Sequence, residues 1–172
     1  MSLRFIYVQY PLETLAFVAL LYFLISRAMR SRDPRTVLLV LVGLNVLRFG
    51  GLAGALAARK TSDAPAFLTQ VAIGDGLTAL LALIAFLLLS RRSRRALAAV
   101  LFMNVIGLLD ILTSEAWLGA LEVRGTIARD SFLHGPSVGA ALFTAVHLFI
   151  FYVLARQATA SERGLLPPPS PG

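Results

Sequence analysis

Residues 73–90 read IGDGLTALLALIAFLLLS, and a basic cluster of Arg91, Arg92, Arg94 and Arg95 follows at once. After Asp75 the run carries no charge until that cluster. Leu, Ala, Ile and Phe fill it without period-2 alternation, so it reads as a helix and not as a barrel strand. A helix needs ~20 residues to cross ~30 Å of hydrocarbon, and ~17 is a workable minimum. The stretch therefore predicts a membrane crossing that ends on arginines.

Working outward, four more apolar segments appear, at about 12–26, 37–58, 96–113 and 136–155. The first is short, and residues 5–10 upstream extend it to the interface. The sum is an all-α integral membrane bundle of five transmembrane helices, in which each span satisfies its own backbone groups. Composition agrees: 58% of the chain is hydrophobic and only 15% charged, where a soluble domain carries about 25%. With no cysteine, disulfides, thiolate nucleophiles and cysteine-bound metals are excluded. A net charge of +7 would point to nucleic acid in a soluble protein. Here the arginines sit in short clusters between apolar runs, which is the pattern of topology, so no nucleic-acid partner is expected.

Those clusters set an orientation. Arg27, Arg30, Arg32, Arg35, Arg91, Arg92, Arg94, Arg95, Arg156 and Arg163 fall on one side. Arg4, Arg59, Lys60, Arg124 and Arg129 fall on the other. The richer side is cytoplasmic, which puts the amino terminus outside and the carboxyl terminus in the cytoplasm. Segment 12–26 is not read as a secretory signal, because its positive cluster follows the apolar core where a signal's precedes it. The expected organisation is a five-span domain over 1–158 and a disordered proline-rich cytoplasmic tail over 159–172, with Pro167, Pro168, Pro169 and Pro171. External connectors are expected over 59–72 and 115–135, the second lying at the interface with Trp117 as an anchor.

An ionisable group inside a membrane helix costs ~2.5–3.5 kcal/mol near its centre, so it faces other helices or water. The candidates are Glu13, Arg48, Asp75, Asp110 and His147, with Asn45 and Asn104 as neutral companions. They gather between the midplane and the external face. Asn45 and Arg48, three apart, share a helix face. Asn104, Gly107 and Asp110 span an arc of roughly 120° at 100° per residue. Arg48 pairs most simply with Asp110 or Asp75, since neither sign is stable alone at that depth. Each also has a structural explanation: Asp75 as a helix cap, Asn45 and Asn104 as interhelical hydrogen-bonding groups, His147 as a bonded core histidine. Gly50 and Gly54 have the spacing of a helix-packing face. No nucleotide loop, serine nucleophile elbow, zinc spacing or arginine ladder is present, so no cofactor and no metal are expected.

The residues Arg48-Phe49-Gly50-Gly51, Phe67-Leu68, Gly74-Asp75, Asn104, Gly107, Asp110, Pro136 and His147 together resemble a group of small bacterial multi-span proteins described as hypothetical. The likeness covers residues 45–154, and the chain departs from it at Arg59-Lys60 and in the long connector before the last span. The resemblance implies a bacterial cytoplasmic membrane and one shared site for Arg48, Asp75, Asn104, Asp110 and His147, and it implies no activity.

Two functional readings arise. In the first, a polar pocket in the outer half of the bundle binds, converts or proton-couples transport of a small amphipathic or lipid-like molecule. Arg48, Asp75 and Asp110 do the chemistry there, with Asn45, Asn104, His147 and Glu13 around the ligand. In the second, the chain is a non-catalytic subunit of a larger respiratory or photosynthetic membrane complex, or self-associates. Membrane lipids surround it in both.

Overall fold

The computed structural model describes residues 9–31, 33–123 and 135–162. Among these residues the chain is all-helical: α1 (Tyr10–Ser31), α2 (Pro34–Val46), α3 (Arg48–Ala58), α4 (Pro65–Ser90), α5 (Ala96–Val123) and α6 (Gly135–Glu162). Taking α2 and α3 as one rod, five helices are long and apolar enough to cross a membrane. The tail expected over 159–172 begins as helix, since α6 runs to Glu162, and the rest of it lies outside the described residues, as do Arg4, Arg124, Arg129 and His134.

The second rod is broken where the sequence predicts one continuous span. The Leu47 and Gly50 amides donate to the carbonyls three residues back, Leu44 and Leu47, at 3.1 and 2.8 Å. Such three-residue bonds tighten the helix locally and re-aim the segment beyond them. Arg48 is the first residue after that break.

Two other boundaries differ from the sequence reading, for one reason. Helix α4 begins at Pro65, whose missing N–H is harmless at a first position, and α5 runs on to Val123. Thr69, Gln70, Ser114 and Glu115 interrupt the apolar runs there, but Phe67, Leu68, Ala72, Ile111 and Leu118 keep a buried face at helical spacing. Asp75 is therefore well inside α4, more than two turns from its start, and does not cap it. Trp117 is likewise on α5, edge-on to Phe67 at 6.0 Å between ring centres.

Helix α4 is central, packed on α5, α3 and α2, while α1 leans mainly on α6. Ala72, Ala79, Ala82 and Ala85 give α4 a buried stripe of small side chains, which lets neighbours approach closely. Arg35 of α2 closes the far end of α4: its Nε and Nη2 donate to the Leu89 carbonyl at 2.9 and 2.6 Å, and Nη2 also reaches that of Ser90. These are carbonyls that a helix end leaves unsatisfied. The turn into α5 then places Arg92 at φ 54°, and the Ser93 amide returns to the Leu88 carbonyl at 3.0 Å.

Apolar packing falls into two clusters. The larger joins Leu38, Val42, Ala85, Val100, Met103, Ile150 and their neighbours. The smaller joins Ala55, Ala64, Phe67, Leu68, Ala72 and Leu118. Most of the buried polar residues lie on the stretches of helix between them. Outward-facing positions such as Leu80, Ile84, Leu101 and Leu109 are apolar and exposed, the reverse of a soluble helix.

Candidate functional site

Arg48 anchors the polar layer. The break at Leu47 sets its side chain between α4 and α5, with only 4% of it exposed. Its Nε donates to Asp75 Oδ1 at 2.6 Å, and its Nη2 makes a close ion pair with Asp110 Oδ2. Nη1 points to the Gly107 carbonyl at 3.4 Å, and the guanidinium lies 5.6 Å from the Phe143 ring centre. The sequence leaves Arg48 a choice between two aspartates; the fold gives it both. The fixed fork of a guanidinium makes this feasible where a lysine's point charge does not.

Glycines make room for the carboxylates. A methyl group at Gly51 would collide with Asp75, and one at Gly74 with Asp110. One layer along, Asn104 and His147 bond reciprocally across α5 and α6. The histidine Nδ1 and Asn104 Oδ1 are 2.7 Å apart, and Asn104 Nδ2 donates to the His147 carbonyl at 3.0 Å. Gly107 links the two layers, because its carbonyl faces Arg48 and a Cβ there would meet the His147 ring at 2.5 Å.

Asn45 and Glu13 stand apart. Asn45 is fully buried but donates to the Leu41 carbonyl of its own helix at 3.1 Å, so it bridges no helices through that bond. Glu13 lies on α1, bonded by Gln9 Nε2 at 2.8 Å, and is not on the cavity wall.

That cavity, about 570 Å³, opens between α3, α4, α5 and α6. Arg48, Asp75 and Asp110 form its charged side, and Phe67, Phe143 and Leu118 are among its apolar walls. Gly50, Gly54 and Gly139 also line it, and a Cβ at any of them would meet nothing within 4 Å. The spacing of Gly50 and Gly54 thus faces open space and not a packed helix.

The sequence reading passed over one wall residue: Glu115, 8% exposed, with Oε2 unpartnered. It falls in an expected connector because the apolar run looks finished at 113. The signal that would have found it is helical spacing: Glu115 stands four residues after Ile111 and three before Leu118, on the buried face of the continuing helix. On α1, Tyr10 bonds Thr144 of α6 at 2.8 Å between hydroxyls.

The family described as Domain of unknown function (DUF8737) matches residues 5–157. The chain belongs to that family. The DUF8737 match takes in the first four apolar rods, all but the end of the fifth, and every residue of the ion cluster. No curated protein and no solved structure matches the chain.

Proposed function

We propose that this DUF8737 protein is a five-span protein of the bacterial cytoplasmic membrane, with its amino terminus outside and its carboxyl terminus in the cytoplasm. Its cavity receives a small amphipathic or lipid-like molecule, polar end against Arg48, Asp75 and Asp110. The orientation rests on the arginine bias of the connectors. One observation carries the ligand reading: an apolar-walled space of ligand size abuts a buried ion cluster.

Arg48 spans both carboxylates and holds them in place, leaving Asp75 Oδ2 and Asp110 Oδ1 free of the two ion pairs. These oxygens suit accepting a hydrogen bond or carrying a proton, which fits binding, conversion or proton-coupled movement of the molecule. Asn104 and His147 hold α5 to α6 behind Gly107 and act as positioning residues.

The test uses Gly54→Phe, which fills the cavity from a position whose Cβ has free space. Protein in lipid nanodiscs is extracted with organic solvent and analysed by mass spectrometry. A molecule held near one per chain by wild type and missing from the variant supports the reading; identical extracts overturn it.

A second reading has its own observation. Only 6% of the α1 span is buried, against 33–44% for the other four. Outside the stripe that leans on α6, such a helix offers its surface to lipid or to another membrane protein. The subunit reading takes the latter. Migration of the chain within a larger complex in mild detergent supports it, and migration as a lone chain removes it.

A further inference from the structure

Resting on the cavity reading above, we infer that the occupant of the cavity is an organic cation: an ammonium group on an apolar or aromatic body.

One guanidinium, Arg48, faces three carboxylates, Asp75, Asp110 and Glu115. Arg48 is already committed, to Asp75 through Nε, to Asp110 through Nη2 and toward the Gly107 carbonyl through Nη1. It has little left to offer an anion. Acid exceeds base on this wall, and in an apolar setting an unpaired carboxylate is met either by a bound proton or by a cation.

The unsatisfied atoms say the same independently. Glu115 is 92% buried on the cavity wall (8% exposed), makes no hydrogen bond or ion pair among the described residues, and leaves Oε2 without a partner. Close by, Gln70 Nε2 donates to Ser114 Oγ at 3.3 Å, while Gln70 Oε1 is also buried and unpartnered. Both orphaned atoms are acceptors. Leaving buried acceptors unmet is unfavourable, and at Glu115, the one of the two on the cavity wall, a donor-rich, positively charged head supplies the missing partner.

The remaining walls decide between a metal ion and an organic cation. Among the described residues no three His, Asp or Glu side chains converge as metal ligands. Phe67 and Phe143 line the space instead, and aromatic faces attract alkylammonium groups.

The experiment uses three matched probes: 2-phenylethylammonium, 3-phenylpropionate and 2-phenylethanol. Protein in nanodiscs of zwitterionic lipid is titrated with each. The emission of Trp117, which abuts the cavity residue Phe67, reports occupancy. The ammonium probe is expected to bind at least about tenfold more tightly than the carboxylate. Glu115→Gln is expected to reduce the ammonium affinity by about tenfold and to leave the alcohol unchanged. Equal or tighter binding of the carboxylate, or unaltered selectivity in Glu115→Gln, overturns the cation assignment and leaves the cavity reading standing. No response to any probe in wild type overturns both. The wild-type series needs no variant, so the assignment stays falsifiable even if Glu115→Gln misfolds.

Discussion

Gly74 of α4 faces Asp110 of α5 so closely that a single methyl group at position 74 would occupy the space of the carboxylate. The contact exists because Arg48 draws Asp110 inward between the helices, and only a residue without a side chain can stand opposite. An ion cluster in the middle of a helical bundle thus depends as much on glycine as on charge.

Alanine at position 74 is therefore expected to lower stability by about 1–3 kcal/mol, since the pinned carboxylate cannot step aside. Alanine at Gly50 or Gly54 meets nothing within 4 Å and is expected to be neutral, or to stabilise by about 0.5–1 kcal/mol through helix propensity. Thermal unfolding of the three variants in one detergent gives the comparison. Equal losses at all three positions would contradict the packing described.

Removing Arg48 leaves two buried carboxylates against one another. Arg48→Met is expected to cost about 3–5 kcal/mol, or to prevent folding. Asp75→Asn or Asp110→Asn alone keeps a one-to-one ion pair and costs less. Asp75→Asn together with Asp110→Asn strands the guanidinium, so the double loss exceeds the sum of the singles. Additive losses in denaturant titrations would show that the three residues do not act as a unit.

The Asn104–His147 pair makes a cleaner cycle. Leu at position 104 alone leaves the His147 ring Nδ1 unmet, and Leu at position 147 alone leaves Asn104 Oδ1 unmet, each at about 1–3 kcal/mol. Replacing both residues by Leu removes the unmet atoms on both sides, and the double variant is expected to be more stable than the sum of the singles implies. A double variant as unstable as that sum would place the pair's value elsewhere.

At the opposite end, Arg35→Ala uncaps α4. Three hydrogen bonds to the Leu89 and Ser90 carbonyls are lost, with an expected cost of about 1–3 kcal/mol. Faster amide exchange should be confined to the last turn of α4 and the turn after it. A variant protected like wild type at that end would show that Arg35 does not cap the helix.

The five rods were legible because their cause is local: long apolar runs, no alternation, arginines at the ends. The need for Arg48 to meet a carboxylate was legible as well, from the cost of an isolated charge at that depth. Glu115 was not, because Ser114 and Glu115 look like the end of a span when hydropathy alone is counted. Buried Leu118, which continues the helical face, matters more to where the helix stops. Asn45 and Asn104 read alike in sequence, each polar in an apolar helix, yet one bonds its own helix and the other a neighbour.

By itself the chain determined the set of apolar helices and the presence of more buried acid than base among them, since burial and charge are properties of each residue in its own segment. Only the packing decided that one guanidinium spans two aspartates, that Gly51 and Gly74 stand opposite them, and that a 570 Å³ space is left beside the cluster with Glu115 on its wall. Those are relations between helices far apart in sequence. They depend on the break at Leu47 and on how closely the helices approach, which are set when the helices pack against one another.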